Sequence, residues 1–200
     1  MDDRRKRFEH RYETGNMPWD IGRPDFNLRQ ILHTYDIPRG KALEIGCGTG
    51  DNAIFLAKEG FEVTATEIVA MAIEAARRKA KDHGVSCRFI LEDILEKDID
   101  KASFVFAFDR GCFHSFDSPE KRRQFAKAVC MHLSPGGYWL SLIGNADEVR
   151  EGPGPPQRSA REIVEAVEPF FEILLLKAGN FDSNMKPPPR NWILLARRRD

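Results

Sequence analysis

The clearest candidate for a binding site in this sequence of 200 residues is a glycine-rich segment, Glu44-Ile45-Gly46-Cys47-Gly48-Thr49-Gly50. It follows a short apolar run and precedes a stretch with helical periodicity. Glycines at such a turn let the backbone approach a ligand closely, and the N-terminus of the following helix offers free N–H groups. The spacing is G-x-G-x-G, which differs from the G-x-G-x-x-G of dinucleotide-binding folds. The segment predicts a ligand-binding loop, although a tight strand-to-helix turn without a ligand would use the same glycines.

Two acidic positions follow this segment at the ends of two further predicted strands. Glu67 ends the second strand, where a carboxylate can accept hydrogen bonds from the two neighbouring hydroxyls of a ribose. Asp93 and Ile94 follow the third strand, where a carboxylate can accept from the amino group of an adenine. The carboxyl ends of parallel strands form the ligand crevice of such sheets. Each acid alone is typical of a solvated surface charge. The glycine-rich segment, Glu67 and Asp93 taken together, however, indicate one shared site.

The elements that position these residues alternate between strands and helices. Apolar runs bounded by glycine and proline predict strands over 42–45, 61–66, 87–91, 104–108 and 138–143. Periodicity and capping residues predict helices over 25–35, 52–59 and 70–82, after Ser118-Pro119, and after the capping-box pair Ser159 and Glu162. Two late apolar runs, 170–176 and 191–197, are expected to pair at the sheet edge. The alternation predicts an α/β fold with a doubly wound, mostly parallel sheet.

The charge and composition exclude several classes of protein. The chain has 31 basic and 31 acidic residues, which argues against a function that depends on broad attraction to nucleic acid or to an anionic membrane. A hydrophobic fraction of 42% suffices for one core, and no apolar run is long enough to span a bilayer. The four cysteines are scattered, without metal-ligand spacing, as in a cytoplasmic protein with reduced thiols and no metal site.

The chain resembles the class I S-adenosylmethionine-dependent methyltransferases over about residues 25–197, after an arm or flap over 1–24. Glu44–Gly50 matches the first motif of that family, Glu67 its ribose-binding acid, and Asp93 with Ile94 its adenine-side motif. The resemblance implies a Rossmann-like sheet of seven strands with an antiparallel last strand and helices on both faces. It also implies S-adenosylmethionine as cofactor and S-adenosylhomocysteine as product. The expected cofactor contacts are Trp19, Glu44, Gly46, Cys47, Gly48, Gly50, Glu67, Ile68, Asp93, Ile94 and Asp109.

Three shorter segments resemble a narrower group, the thiopurine, thiol and tellurite-resistance methyltransferase superfamily. They are the arm Tyr12–Asp20 with its Pro-Trp-Asp core, the triplet Asp109-Arg110-Gly111, and the proline-rich stretch Gly152–Pro156. Enzymes of this group methylate small polarizable nucleophiles: thiols, halides, and selenium or tellurium oxyanions. The narrower resemblance therefore implies a small-molecule acceptor, and it leaves the identity of that acceptor open.

Three residues near the end of the fourth strand are the candidates for catalysis. Asp109 is expected to point into the crevice and orient the cofactor or the acceptor, or else to cap a helix. Arg110 either contacts the acceptor or holds the turn by pairing with Asp109. His114 has the chemistry of a general base near neutral pH, although a lone histidine at such a place is more often a packed, hydrogen-bonded residue. Trp19 either stacks near the sulfonium or anchors the arm.

Other functions remain compatible with parts of the sequence. In the same fold, the acceptor would be a hydroxyl or an amine of a small metabolite. From other classes, the chain would be an NAD-dependent oxidoreductase, against which the glycine spacing argues, or a cofactor-binding protein without catalysis. An RNA methyltransferase is disfavoured by the neutral charge and by the missing Asn/Asp-Pro-Pro-aromatic tetrapeptide. Cys112 follows a glycine rather than the proline of cytosine-5 enzymes, so it is expected to be a packed thiol.

Overall fold

The computed structural model describes residues 3–150, 152 and 154–199 of the chain. Met1 and Asp2 of the arm, Pro153 of the proline-rich stretch, Glu151 and Asp200 lie outside the described residues. The strands are β1 (Lys41–Ile45), β2 (Glu62–Glu67), β3 (Cys87–Leu91), β4 (Phe104–Arg110), β5 (Leu133–Gly144), β6 (Phe171–Asn180) and β7 (Arg190–Arg198). Within the described residues they form one seven-stranded sheet of order β3-β2-β1-β4-β5-β7-β6. β7 alone runs antiparallel to its neighbours, which confirms the predicted sheet.

Helices cover both faces of this sheet, as predicted. They are α1 (Asp3–Glu13), α2 (Phe26–Thr34), α3 (Asp51–Lys58), α4 (Ala70–Asp82), α5 (Pro119–His132) and α6 (Ala160–Val167). One buried cluster contains residues of α2, α3 and α4 together with Phe106 and Phe108 of β4. The other contains residues of α5 and α6 together with Trp139 of β5 and Leu194 of β7. Alternate side chains of the central strands therefore enter two separate cores.

Capping side chains begin three of the helices at the predicted places. The Asp25 carboxylate accepts a hydrogen bond from the N–H of Asn27 at the start of α2. The Ser118 hydroxyl accepts from the N–H of Lys121 in α5. Ser159 and Glu162 form the reciprocal capping box of α6. Each such cap stabilises a helix by about 1 kcal/mol, which explains why these boundaries could be read from the sequence.

Two elements differ from the sequence-based expectation. β5 begins at Leu133 and not at the predicted residue 138, and its pairing with β4 jumps from Phe104–Leu133 to Phe106–Tyr138, so that residues 134–137 form a bulge inside the strand. Gly136 adopts a left-handed φ of 71°, so the extra residues leave the ladder without ending the strand. In addition, the polar arm contains the helix α1, which the prediction of a flap did not include.

Within the described residues, no helix is long and apolar enough to cross a membrane.

Candidate active site

A cavity of about 560 Å³ lies at the carboxyl ends of β1, β2 and β4. Ile45 of β1, Glu67 of β2 and Arg110 of β4 line it, together with Tyr12 and Trp19 of the N-terminal segment. Its volume falls within the range of about 300–1,000 Å³ that is usual for small-molecule sites. The sheet edge that the sequence predicted as the crevice therefore carries the cavity, and the arm forms part of its wall.

The glycine-rich loop brings its backbone directly to the cavity. Gly46 and Gly48 line it and have left-handed φ values of 67° and 54°. A Cβ on Gly46 would lie 2.2 Å from the Sγ of Cys112, and a Cβ on Gly48 would lie 3.1 Å from the hydroxyl of Tyr12. The left-handed conformation therefore favours glycine at both positions, and at Gly46 the contact with Cys112 also leaves no room for a Cβ. Cys47 also lines the cavity, and burial raises the pKa of its thiol well above the usual value.

Glu67 lies beside this loop and is held in a fixed orientation. Its carboxylate accepts hydrogen bonds from the N–H groups of Gly48 at 3.1 Å, Ile68 at 2.6 Å and Val69 at 3.1 Å. Burial raises the pKa of Glu67, while these three N–H groups and the positive charge of Arg4 favour the ionised form. Glu67 and Ile68 both line the cavity. The carboxylate is therefore placed to accept hydrogen bonds from hydroxyl groups of a ligand.

Asp93 and Ile94 line the cavity beyond β3, as expected. Asp93 accepts a hydrogen bond from the N–H of Leu95 at 2.9 Å and forms an ion pair with Arg4 of α1. The sequence-based interpretation did not include Arg4, which belongs to a basic run that is typical of a solvated tail. The sequence does contain a pattern that could have predicted this contact. Arg4, Phe8 and Tyr12 are spaced four residues apart, as on one face of a helix, and all three line the cavity.

Glu44 and Gly50 do not line the cavity, in contrast to the predicted cofactor contacts. Glu44 is 2% exposed and lies behind the loop, where burial raises the pKa of its carboxyl to about 8 and Asn52 partly offsets this effect. A Cβ on Gly50 would lie 2.9 Å from the Cβ of Ala76, so this glycine allows α3 to pack on α4. Both residues support the glycine-rich loop on the side away from the cavity. The prediction that they contact the cofactor directly is therefore corrected.

Asp109 is turned away from the cavity as well. One carboxylate oxygen accepts from the N–H groups of Cys112 at 3.0 Å and Phe113 at 3.1 Å, and the other accepts from the indole N–H of Trp139 at 2.9 Å. The side chain is fully buried, and burial raises its pKa to about 6. The structure therefore favours the capping alternative: Asp109 fixes the turn after β4, because its oxygens are occupied by protein donors.

Arg110 lines the cavity but pairs with Asp25, and not with Asp109 as one alternative had it. Its Nε lies 2.7 Å from the Asp25 carboxylate, and its other nitrogens donate to the carbonyls of Trp19 at 3.2 Å and Asp182 at 2.5 Å. One guanidinium thus joins the arm, the start of α2 and the loop between β6 and β7. Arg110 therefore connects three segments of the chain. This role is structural, and it differs from the contact with the methyl acceptor that the sequence also allowed.

His114 lines the cavity, but its geometry does not suit a general base. Its Nδ1 accepts a hydrogen bond from the N–H of Gly144 at 2.8 Å, and burial lowers its pKa to about 3. An imidazole with an occupied acceptor nitrogen and such a pKa has little capacity to take a proton near neutral pH. The expectation of general-base catalysis by His114 is therefore not supported by the structure.

Trp19 is both a cavity residue and an anchor of the arm. Its ring meets Phe8 edge-on with centroids 5.6 Å apart and Tyr12 with centroids 6.1 Å apart. Its indole N–H lies 3.5 Å from the hydroxyl of Tyr12, whose pKa burial raises. Trp19 therefore anchors the arm in one aromatic cluster, made of Phe8, Tyr12 and Trp19, on the cavity wall, and its stacking near the sulfonium stays a prediction.

The donor set fits S-adenosylmethionine. The glycine loop brings the backbone of Gly46 and Gly48 to the cavity, Glu67 offers a carboxylate for hydroxyl groups, and Asp93 offers one beside the apolar Ile94. No cluster of three or more histidine, cysteine or acidic side chains that could hold a metal ion is found in the described part of the chain.

Residues 42–137 match the model of a family described as a methyltransferase domain. This match covers β1 to β5, that is, the glycine-rich loop, both acidic positions and the end of β4. Residues 42–137 therefore form a methyltransferase domain, and the seven-stranded sheet with the cavity at its carboxyl edge has the Rossmann-like fold of S-adenosylmethionine-dependent methyltransferases.

Similar proteins within this class act on different acceptors. The chain is 29% identical over 170 residues to probable thiol methyltransferase 2 of Arabidopsis thaliana, covering 84% of this chain and 74% of that protein. It is 34% identical over 116 residues to ubiquinone biosynthesis O-methyltransferase of Rickettsia conorii, covering 58% of this chain but only 38% of that protein.

A solved structure shows the same fold over nearly the whole chain. It is that of 1,6-didemethyltoxoflavin-N1-methyltransferase from Burkholderia thailandensis, which has a TM-score of 0.75 and 22% identity. The match covers 98% of this chain and 87% of that one. The names of these three proteins refer to sulfur, oxygen and nitrogen acceptors, so similarity to them does not define the acceptor atom of this chain.

Proposed function

We propose that this enzyme transfers the methyl group of S-adenosylmethionine to a small polarizable nucleophile, with a thiol as the leading candidate. The observation that carries this proposal is the state of His114, whose acceptor nitrogen is occupied by Gly144. The other predicted polar group, Asp109, is buried behind the turn. An acceptor that enters as a thiolate has no proton to lose, so it needs no general base.

The cofactor would be held by the loop Gly46–Gly48, by Glu67 and Ile68, by Asp93 with Ile94, and by the aromatic cluster around Trp19. When bound, S-adenosylmethionine supplies a methyl group on a positively charged sulfur. The glycine loop permits close backbone contact, and Glu67 would accept hydrogen bonds from the ribose hydroxyls. The aromatic faces beside the cavity favour a cation there, and they exclude water.

The acceptor would enter at the other end of the cavity. Apolar residues from three separate segments line the cavity and would form the wall there: Ile21, Pro155, Pro156, Phe181 and Met185. Enclosure by such a wall aligns the two reactants and removes water, which can supply much of the rate acceleration of a methyl transfer. The arm over 1–24 is, in this proposal, a part of the active site and not a separate unit.

The test is methyl transfer from labelled S-adenosylmethionine to a parallel panel of thiols, sulfide, iodide, selenite, simple phenols and amines. We expect the highest kcat/KM for thiols or sulfide, with a pH profile that rises with the ionisation of the acceptor thiol. A preference for phenols or amines of at least tenfold would instead support the O- or N-methyltransferase alternative, for which the similarity to the Rickettsia enzyme provides some support. Cofactor binding without transfer to any acceptor would contradict the enzymatic proposal.

A further inference from the structure

The imidazole of His114 is held in a single tautomer. Its Nδ1 accepts the N–H of Gly144 at 2.8 Å, and the ring meets Phe181 edge-on with centroids 6.1 Å apart. A ring nitrogen that accepts a hydrogen bond carries no proton, so the proton of the neutral ring is on Nε2. Because burial keeps the pKa of His114 at about 3, the neutral ring persists throughout the physiological pH range.

The Nε2 edge of this ring lies against Gly111, and both residues line the cavity. Nε2 is 2.9 Å from the position that a Cβ would take on Gly111, whose φ of 96° is left-handed. His114 is 7% exposed, yet no hydrogen-bond partner of Nε2 occurs among the residues that the structure describes. An N–H donor that has no protein partner and belongs to a residue of the cavity wall is suited to bind an acceptor atom of a ligand.

Arginines from three segments make the electrostatic potential at His114 positive. Arg110, Arg150 and Arg158 each disfavour the protonated imidazole. Arg158 also donates to the carbonyl of His114 at 2.8 Å. These arginines have carboxylate partners, namely Asp25, Glu148 and Asp117. Burial is the main reason why the ring is neutral, and the positive charges that add to this effect also favour an anion beside the ring.

We infer that His114 is a specificity-determining residue whose Nε2–H binds the negatively charged end of the methyl acceptor. The inference rests on the proposed function and narrows the acceptor to a nucleophile that enters as an anion, such as a thiolate. A lone pair of the anion forms the bond to the methyl carbon while the carbon–sulfur bond breaks, and its electron pair remains on the sulfur. No proton leaves the acceptor, and His114 keeps its own.

The variant His114→Asn separates this role from the alternatives. An asparagine side chain can still accept a hydrogen bond from Gly144 through its carbonyl, but it has no group in the place of Nε2. We expect KM for the best anionic acceptor to rise about fivefold, the effect of one hydrogen bond, with kcat changed less than twofold. Affinity for S-adenosylhomocysteine and the thermal unfolding temperature serve as controls and should change little.

Two kinetic outcomes would contradict the inference. A loss of kcat with a displaced acid limb of the pH profile would show that His114 acts as a base. An unchanged KM in a folded variant would show that the side chain has only a structural role. If the wild type methylates no polarizable anion in the panel, the proposed function fails, whereas a normal KM of the variant for such an acceptor overturns only the role of His114.

A spectroscopic test does not depend on turnover. In protein with ¹⁵N-labelled histidine, the ring nitrogens of His114 can be assigned by comparison with His114→Asn. We expect an Nε2-protonated neutral ring between pH 6 and 8, and a shift of the Nε2 signal when iodide is added to the complex with S-adenosylhomocysteine. A ring protonated on Nδ1, a charged ring at pH 6, or no response to iodide would overturn the inference.

Discussion

The two ends of the cavity that we propose for the cofactor and for the acceptor are built from different kinds of contact. At the cofactor end, Gly46, Gly48 and Glu67 lie at adjacent strand ends, and their hydrogen bonds are made largely with the backbone of the same loops. At the proposed acceptor end, Arg110 contacts Trp19, Asp25 and Asp182, each of which lies at least 72 residues from it in the sequence. A site in which the backbone binds the ligand tolerates few changes of residue type. A site held by side-chain contacts between distant segments can differ between related enzymes, while the fold stays the same.

The largest expected effect comes from Asp109, because it supports the acceptor end without facing it. In Asp109→Ala, the N–H groups of Cys112 and Phe113 and the indole of Trp139 lose their acceptor. We expect the free energy of unfolding to fall by at least about 3 kcal/mol, as measured by urea denaturation. The exposed Asp36 provides the control, since Asp36→Ala should leave stability nearly unchanged. A stable but inactive Asp109→Ala enzyme would restore the original interpretation of a catalytic aspartate.

Arg110 tests whether the acceptor end depends on a side-chain connection. Arg110→Gln leaves the buried carboxylate of Asp25 without its cation, and we expect a loss of about 2 kcal/mol of stability together with faster proteolysis of the arm. Arg23 is the matched control, because it binds the side chain of the same Asp182 but is 46% exposed. Arg23→Gln should change neither quantity measurably. Equal effects of the two variants would mean that Arg110 has no special role.

Glu67 tests the cofactor end. In Glu67→Gln one carboxylate oxygen is replaced by an N–H donor, so the ribose hydroxyls lose a charged acceptor. We expect about tenfold weaker binding of S-adenosylhomocysteine by calorimetry, with a smaller effect on KM for the methyl acceptor. Glu62 lies at the other end of the same strand and is exposed, so Glu62→Gln should bind normally. Normal binding by Glu67→Gln would place the ribose elsewhere.

The smallest expected effect is the pH dependence due to His114. Its pKa is about 3 in the folded protein, below the ordinary value of 6.5, so on acidification the unfolded chain takes up a proton that the folded chain does not. Stability should therefore fall by about 1 kcal/mol per pH unit below pH 6.5, and His114→Asn should lack this part of the slope. Parallel urea titrations at pH 7, 6 and 5 measure the difference. Identical slopes would show that the imidazole is not held in its neutral form.

The same contrast explains what the sequence could predict. The capping residues Asp25 and Ser159, the bounds of β3 and α4, and the placement of Glu67 at the end of β2 follow from local chemistry, and all agree with the structure. The partner of Arg110 and the tautomer of His114 depend on residues that only the folded chain brings together. The G-x-G-x-G pattern could not show that Gly46 lines the cavity whereas Gly50 packs against Ala76 of α4.

The position of β7 has a consequence for how the sheet can assemble. β5 ends at Gly144 and β7 begins at Arg190, yet β7 lies between β5 and β6 and pairs with both. During synthesis on the ribosome, the five strands up to β5 can associate before β7 has emerged. Until then, the long edge of β5 presents unpaired N–H and carbonyl groups, which other chains can bind. Insertion of β7 is thus the step that removes the main aggregation risk of the nascent chain.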